Sequence, residues 1–430
     1  MISISTLQKY LEAEQKRQRE GLELIPSENY VSKDVLEALG SVFTNKYSEG
    51  YPGRRYYGGQ ENTDKVEVYA IEAAKKLFSA DHANVQPHSG AQANESVYHA
   101  WLNPGDTVLA MDLSHGGHLT HGHPVTVLAR QYNFVRYKVK NLETGEIDFE
   151  ELEALAAQHK PKIILAGFSS FPRELNYAKF AEIGQRHGAM LMADIAHIAG
   201  LIAGKALANP FDYGFHVMSS TTHKTLRGPR SGIILSKGIA SNPLVALDKT
   251  IENLPTLIDR TVFPGVQGGP HMNTILAKAV AFHEAQQPSF SVYAQQTIDN
   301  AKALANELMK QEVKLVTNGT DNHLLLIDVF RSLGINGLEA EVALDKAGLT
   351  VNKNVIPDDT LPPFKPSGIR LGTPAITTRG FKTEHMPQLA TWIVAALKNR
   401  NDDKKLHALN QEVKAVATTF PLPSDSSPKT

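Results

Sequence analysis

The 430-residue sequence contains no cysteine. This absence excludes disulfides, thiolate nucleophiles, cysteine-ligated zinc and iron–sulfur clusters. The sequence also lacks any run of about 18 apolar residues, which is the length that a membrane-spanning helix needs. Residues 1–20 are rich in Lys, Arg, Glu and Gln, and they have no apolar core typical of a secretory signal. We therefore expect a cytoplasmic protein that does not bind membranes.

Charge of one sign is not in excess, because 44 Lys and Arg residues stand against 45 Asp and Glu residues. This balance argues against nucleic-acid or membrane binding that is driven by global charge. Apolar residues make up 42% of the chain and charged residues 21%, which is ordinary for a globular protein. The length predicts two unequal domains.

Short apolar runs alternate with helical patterns from about residue 84 to 235. Continuous apolar runs of this kind are typical of parallel strands covered on both faces. A second α/β pattern follows residue 310, and residues 21–62 are predicted to be loop-like. The predicted strands are 107–112, 162–167, 189–194, 214–219, 232–235, 313–317, 324–329 and 369–372. The predicted helices are 4–20, 64–78, 90–102, 148–158, 176–187, 272–310 with a break near Pro288, 337–347, 384–398 and 403–416.

Lys224 follows an apolar strand and lies among hydroxyl groups and glycine, in the run 219–230. A lysine at a strand end can form a Schiff base when its surroundings lower its pKa. The alternative is an ordinary lysine in a surface turn. Asp194 ends another apolar run, where parallel sheets bind ligands. It could pair with the pyridine nitrogen of pyridoxal phosphate, or it could cap a helix.

Three further segments carry candidate binding residues. The run 86–94 follows a short strand and opens a helix, so its backbone N–H groups could bind an anion. The histidines at 115, 118, 121 and 123 could hold a metal, but one imidazole stacked on a cofactor ring is an equally good use. Arg370 enters a short strand and could clamp a carboxylate, or it could form an interdomain salt bridge.

Six segments together resemble the serine hydroxymethyltransferase family, in the order in which that family has them. They cover about residues 20–400 and include 44–59, 86–94, 194–200, 221–230, 263–270 and 367–375. The resemblance implies an aminotransferase-like α/β fold of type I, with a mostly parallel seven-stranded sheet in the large domain and a smaller C-terminal α/β domain. The implied division is an N-terminal helix and interface arm at 1–60, a large pyridoxal phosphate-binding domain at 61–285, a small domain at 286–420 and a tail at 421–430.

The resemblance also implies an activity. A family member interconverts serine and glycine and transfers the hydroxymethyl one-carbon unit to tetrahydrofolate, a transferase reaction of one-carbon metabolism and amino-acid biosynthesis. Pyridoxal phosphate is the implied cofactor, tetrahydrofolate the co-substrate, and no metal is expected. The implied assembly is a homodimer with shared active sites, or a tetramer.

The resemblance also implies a role for individual residues of this chain, at the positions that match the family's motifs. The implied catalytic residues are Lys224, Glu49, His118, Asp194 and Tyr47. The implied cofactor-binding residues are Ser89, Gly90, His118, Ser169, Asp194, His197, Thr221, His223, Lys224, Gly269 and Tyr47. The implied substrate-binding residues are Ser27, Glu49, Tyr57 and Arg370. The implied folate contacts are Leu113, Gly117, His118, Leu119, Asn354, Pro362, Pro363 and Phe364.

Several positions depart from the pattern of the family. The departures are Ala91, Ser231, Val266, Pro362, Asn176 and a segment at 231–261 that is longer than usual. Two related activities therefore stay open: a hydroxymethyltransferase preferring 2-methylserine, and a folate-independent aldolase of β-hydroxy amino acids. A non-catalytic binding protein with the same fold is a weaker alternative, since Lys224, Asp194 and Arg370 are all retained. A dinucleotide-binding oxidoreductase is disfavoured because no Gly-x-Gly-x-x-Gly follows a first strand.

Overall fold

The computed structural model describes residues 4–238 and 253–425. Residues 239–252, within the segment predicted to be unusually long, and the last five residues of the predicted tail lie outside the described part. The chain divides into two compact units. One contains the N-terminal residues through Lys33 together with the chain from Gln296 onward, and the other contains Asp34–Gln295. The functional division at residues 60, 285 and 420 stays a prediction.

The unit Asp34–Gln295 is built on a seven-stranded sheet. Its strands, in spatial order, are His82–Asn84, Gly232–Ser236, Val217–Thr221, Met190–Asp194, Ile163–Gly167, Thr107–Met111 and Asn133–Tyr137. Only Gly232–Ser236 runs antiparallel to its neighbours. The strands Ile163–Gly167, Met190–Asp194 and Val217–Thr221 are buried at every residue, as expected when helices cover both faces. The prediction of a large, mostly parallel sheet of seven strands is confirmed.

Helices connect the strands of this sheet, and side-chain caps begin several of them. Ser89 caps Gly90–Trp101, Asp148 caps Phe149–His159 and Asn176 caps Tyr177–His187. Asn caps a helix about as well as Asp does, so the departure at Asn176 keeps this local function. The remaining helices of this unit are Lys33–Leu39, Glu61–Phe78, Leu128–Gln131, Ala199–Ala203, Leu254–Arg260, Met272–Ala285 and the start of Pro288–Lys310. Its short strand pairs are Gly50–Tyr51 with Arg54–Arg55, and Val139–Asn141 with Glu146–Ile147.

The second unit has its own antiparallel sheet and its own apolar core. Its three strands are, in spatial order, Leu324–Asp328, Gly368–Gly372 and Asn352–Asn354. A separate parallel pair joins Leu22–Glu23 to Leu349–Thr350. Its helices are Ile4–Glu20, the remainder of Pro288–Lys310, Val329–Leu333, Gly337–Lys346, Pro374–Thr378, Met386–Lys398 and Asp403–Ala417. The strand Gly368–Gly372 lies in the middle of the sheet, which fixes the position of Arg370.

Three local predictions were wrong. The strand expected at 313–317 is replaced by a short 3-10 turn, Val316–Asn318, with one bridge from Leu315 to Ile327. Thr317 has a φ of 66°, and this left-handed conformation ends the extended backbone. The edge strand Asn133–Tyr137 was missed, and the loop predicted at 21–62 contains the helix Lys33–Leu39. No helix in the described ranges combines the length and the apolar character of a membrane span.

Candidate active site

Lys224 lies in the turn that follows the buried strand Val217–Thr221, and only 8% of the residue is exposed. Its threonine neighbours fix this turn. Thr222 donates from Oγ1 to the carbonyl of Pro229 at 2.5 Å, and Thr225 donates from Oγ1 to the carbonyl of His197 at 2.9 Å. Lys224 is therefore not a solvated surface lysine, and the turn presents it at the carboxyl end of the parallel strands.

Asp194 ends the adjacent strand, opposite Ser219 in the parallel register. Its Oδ2 accepts a hydrogen bond from Nδ2 of Asn94 at 2.8 Å and lies 3.0 Å from Nε2 of His121. Its Oδ1 accepts the N–H of Ala196. The next helix begins only at Ala199 and has no side-chain cap, so the helix-cap alternative for Asp194 is not what the structure shows.

The surroundings of Asp194 keep its carboxylate ionised. Burial would raise the pKa of Asp194, but the hydrogen bonds from His121 and Asn94 hold that pKa well below its usual range. A buried anion at a strand end is suited to a cationic partner. Asn94 also donates to Thr120 and accepts from Ser219, so its amide connects three elements around the carboxylate.

The histidines of segment 115–123 have separate roles. His121 receives the N–H of His118 at Nδ1, 3.1 Å away, so its own proton lies on Nε2 and points to Asp194. His118 contacts the Oγ1 of Thr120 at 2.8 Å. The described residues contain no group of three or more His, Asp or Glu side chains arranged to hold a metal ion. His121, which sequence reasoning treated only as one of four clustered histidines, is thus a direct partner of Asp194.

The predicted anion site lies at the start of the helix Gly90–Trp101, which Ser89 caps. Ser89 accepts the N–H of Gln92 at 3.3 Å, while the first N–H groups of a helix have no partner within it. A Cβ at Gly90 would lie 2.6 Å from Cγ2 of Thr221, so the strand end and the helix start approach as closely as glycine permits. Ala91 offers only its backbone here.

The remaining predicted cofactor residues of this unit surround the same strand ends. His197 is 2% exposed, and Ser169 donates its N–H to the carbonyl of Gly116 at 2.7 Å. Burial, together with the charges of Lys224 and Arg230, lowers the pKa of His223 to about 3. The predicted folate residues Leu113 and Leu119 are partly and largely exposed, and Gly117 is buried. A Cβ on Gly117 would lie 2.3 Å from the carbonyl oxygen of Met111.

Tyr47, Glu49 and Tyr57 form one cluster, in which the two tyrosines are exposed and Glu49 is partly buried. The Tyr47 hydroxyl donates to Oε1 of Glu49 at 3.2 Å, and the Tyr57 hydroxyl donates to Oε2 at 3.5 Å. The charge of Glu49 raises the pKa of Tyr47. A Cβ at Gly269 would lie 3.2 Å from the Tyr47 ring. The fold therefore brings the predicted proton carrier Glu49 together with the two tyrosines and the turn of Gly269. Their contribution to the active site of a neighbouring subunit stays a prediction.

The other unit carries the predicted carboxylate clamp. Arg370 donates from Nε to Oδ1 of Asn352 on the neighbouring strand at 3.2 Å, and burial lowers its pKa to about 10. Pro26, next to predicted substrate residue Ser27, lies within 3 Å of the position of a Cβ on Gly372. Ser27 and the strand of Arg370 are thus neighbouring parts of this unit.

The predicted folate residues of this unit lie on a short loop. Asn354 ends a strand, and Pro362, Pro363 and Phe364 are exposed, with Phe364 at 84%. The Asp359 carboxylate closes this loop: it accepts the N–H groups of Ile356, Leu361 and Ser367, and the Ser367 hydroxyl at 2.6 Å. Sequence reasoning missed Asp359, although an acid between two predicted contact segments was a usable signal.

Comparison with known proteins shows the family of this chain. The family model described as serine hydroxymethyltransferase matches residues 4–393. A serine hydroxymethyltransferase of Acidobacterium capsulatum is 54% identical over 406 residues, covering 94% of this chain and 91% of the relative. One of Koribacter versatilis is 52% identical over 409 residues, covering 95% and 92%.

These matches favour the serine activity over the 2-methylserine and aldolase alternatives. Members of the family use pyridoxal phosphate and tetrahydrofolate. The chain therefore belongs to the serine hydroxymethyltransferase family, and it is a transferase that interconverts serine and glycine with transfer of the hydroxymethyl one-carbon unit to tetrahydrofolate.

Proposed function

We propose that this chain carries out the family reaction with pyridoxal phosphate held at Lys224 and with tetrahydrofolate as co-substrate. The observation that carries this proposal is the ionised, buried carboxylate of Asp194 beside the strand that leads to Lys224. Residues 61–285 are then the cofactor-binding domain and residues 286–420 the small domain, with residues 1–60 as an interface arm.

The residues present fit this cofactor on three grounds. The Asp194 anion suits a protonated ring nitrogen, and the helix start at Ser89 and Gly90 suits a phosphate. The Nδ1 atom of His223 is buried and has no hydrogen-bond partner in the described part of the chain. His223 directly precedes Lys224 in the sequence, so a polar group of a ligand held at Lys224 could form the missing hydrogen bond to this Nδ1 atom.

When bound, pyridoxal phosphate withdraws electrons from the α-carbon of an amino acid. The protein supplies the remaining requirements. Lys224 would offer the amine that holds the cofactor, Asp194 would supply the anion for a protonated ring nitrogen, and His118 would supply an imidazole for contact with the ring. Thr221, His197 and Ser169 complete the cofactor site. His223, with its lowered pKa, stays neutral next to the Lys224 amine.

Arg370 binds the carboxylate of the amino acid through its planar guanidinium group, and Ser27 contacts the same group. This contact orients the substrate, so that the bond to the hydroxymethyl carbon is the one that breaks. Leu113, Gly117, Leu119, Asn354 and the loop with Phe364 bind the folate. Arg370 remains charged despite its lowered pKa, because a pKa of about 10 is well above neutral pH.

Glu49 moves the proton between the substrate hydroxyl and the folate nitrogen. Tyr47 and Tyr57 hold its carboxylate by their hydroxyl groups. We propose a homodimer, or a tetramer of two such dimers, in which this cluster and Gly269 complete the site of the partner subunit. The exposed side chains of Tyr47 and Tyr57 favour such a use.

The test is glycine formation by the purified protein from serine, with cofactor and tetrahydrofolate each supplied or left out. Full turnover should require both compounds, and 2-methylserine should be a poor substrate. Cleavage of serine at the same rate with and without tetrahydrofolate would contradict the proposal and favour the aldolase alternative. The cytoplasmic location also stays a proposal, which fractionation of the source cells against a cytoplasmic marker enzyme would test.

A further inference from the structure

The turn Val85–Ser89 joins the strand His82–Asn84 to the helix whose first residues bind the proposed phosphate. Side chains from three distant segments hold its backbone carbonyls. The bonds run from Nζ of Lys278 to Val85 at 2.5 Å, from Nε2 of Gln267 to Gln86 at 3.0 Å and from Oγ of Ser231 to Pro87 at 2.9 Å. The turn is thus fixed immediately before Ser89.

Lys278 lies on the helix Met272–Ala285 and is 1% exposed. Its ammonium group faces three carbonyl oxygens, those of Val85 at 2.5 Å, Gly232 at 2.7 Å and Pro87 at 3.4 Å. An ammonium has three N–H donors, so donors and acceptors match in number. Burial lowers the pKa of Lys278 to about 7, while the charge of Glu67 opposes this shift. None of the catalytic steps above uses this buried lysine.

Ser231 directly precedes the strand Gly232–Ser236, and it is 2% exposed. The carbonyl of Pro87 already accepts the N–H of Gly232 at 3.0 Å. The Ser231 hydroxyl occupies the second acceptor position of that oxygen. With glycine at 231, the longer contact from Lys278 would be the remaining side-chain bond to this carbonyl. The hydroxyl of Ser231 therefore adds a second side-chain hydrogen bond to the Pro87 carbonyl, beside that of Lys278.

We propose that Ser231 and Lys278 are positioning residues that fix the turn before Ser89 and thereby set the affinity of the site for the phosphate group of its cofactor. This inference rests on the proposed function for the identity of the phosphate compound. The physical reason is preorganisation, because N–H groups at a helix start bind an anion best when binding does not have to order them.

The decisive measurement is equilibrium binding of two compounds to the purified full chain, followed by visible absorbance. One compound is pyridoxal 5′-phosphate, and the other is pyridoxal, which lacks the phosphate. We expect Ser231→Ala to raise the dissociation constant for pyridoxal 5′-phosphate about three- to tenfold, the range for one lost hydrogen bond. Pyridoxal should bind equally to variant and parent.

The matched control is Ser236→Ala. Ser236 is a buried serine of the strand Gly232–Ser236, and its hydroxyl has no hydrogen-bond partner among the described residues. This variant should bind both compounds as the parent does. Equal binding of pyridoxal 5′-phosphate by the Ser231→Ala and Ser236→Ala variants would overturn the proposal. Equal weakening of both compounds in Ser231→Ala would also overturn it, because the phosphate would then not be involved. A parent protein that bound neither compound would instead overturn the proposed cofactor.

A second variant tests whether Ser231 and Lys278 act together through the Pro87 carbonyl, to which both donate. Lys278→Met keeps the length of the side chain and removes its donors, and we expect more than tenfold weaker binding of pyridoxal 5′-phosphate, since several bonds are lost. The double variant should weaken binding by less than the product of the two single effects, because both residues act on Pro87. Strictly multiplicative effects would contradict a joint action at this carbonyl. The Ser231→Ala comparison decides the proposal if Lys278→Met does not fold.

Discussion

The Nε2 atom of His121 lies 3.0 Å from Oδ2 of Asp194, while its Nδ1 accepts the N–H of His118. The imidazole therefore donates its proton to the carboxylate, and the backbone fixes its orientation. The two residues are 73 positions apart in the sequence. This bond links the segment of the predicted ring-stacking residue His118 to the acid expected at the cofactor nitrogen.

We expect His121→Asn to raise the pKa of Asp194. Because the folded-state pKa of Asp194 is lowered, its ionisation stabilises the fold above the unfolded value of about 3.9, and this contribution is lost as the pH falls further. The variant should lose about 1–3 kcal/mol of unfolding free energy at neutral pH, with a smaller loss at low pH. Urea unfolding at several pH values measures this difference.

His123→Asn is the matched control, since His123 belongs to the same segment but its Nδ1 accepts the backbone N–H of Val125 at 3.4 Å and does not contact Asp194 through a described hydrogen bond. It should leave the pH dependence unchanged. If His121→Asn lowered the unfolding free energy by the same amount at every pH, His121 would pack against Asp194 without changing the ionisation of Asp194.

We expect Lys224→Ala to bind pyridoxal 5′-phosphate without a covalent link. The turn Val85–Ser89 and the carboxylate of Asp194 do not need the Lys224 side chain for their positions, so the variant should still retain the cofactor. Borohydride reduction followed by peptide mass spectrometry should label Lys224 in the parent and no lysine in the variant. The exposed Lys76 provides a control, because Lys76→Ala should be labelled at Lys224 as the parent is. Labelling of another lysine in the parent would refute the assignment of Lys224.

The strand ends of the large sheet were predictable from the sequence. Ile163–Gly167 and Met190–Asp194 are nearly continuous apolar runs, and Asp194 ends the second of them. The strand before Lys224 was placed less well: it is Val217–Thr221, which ends two residues after the predicted 214–219 because its last three residues are Ser, Ser and Thr. The Asp194 partners were not predictable in this way. Asn94 and His121 lie 100 and 73 residues from Asp194, and periodicity carries no information about which distant polar residues meet.

The strand predicted at 313–317 was wrong for a different reason. Its apolar residues suit a strand, but the left-handed conformation of Thr317 interrupts it. Lys278 was missed because a lysine on a helix is normally exposed. Only the tertiary structure shows that three carbonyls surround its ammonium group.

We expect Arg370→Ala to weaken amino-acid binding about tenfold or more, because a charged contact to a carboxylate contributes about 1.5–3 kcal/mol. Glycine titration of the cofactor-loaded protein measures this effect, and cofactor affinity should not change. Arg331→Ala is the control, since the Arg331 side chain is 79% exposed and pairs only weakly with Asp328 at 3.4 Å. Unchanged glycine affinity in Arg370→Ala would favour the salt-bridge alternative.

We expect Glu49→Gln to keep amino-acid binding and to lose folate-dependent serine cleavage. Glutamine keeps the size of the side chain and can still bond to the hydroxyl groups of Tyr47 and Tyr57, but it cannot carry the proton. The loss should be about a hundredfold or more, as is typical for a positioned acid–base group. Glu72→Gln, at a side chain that is 62% exposed, should leave the rate unchanged.

Mixing two inactive variants tests whether Glu49 serves the neighbouring subunit. In a heterodimer of Lys224→Ala and Glu49→Gln, donation across the interface gives one site with both natural residues and one site with neither. Random exchange of equal amounts should then restore about a quarter of the parent activity, because half of the dimers are mixed and each has one competent site. If Glu49 serves its own subunit, both sites of the heterodimer lack one residue. No recovery in a sample whose heterodimers are verified by native mass spectrometry would therefore refute the shared site.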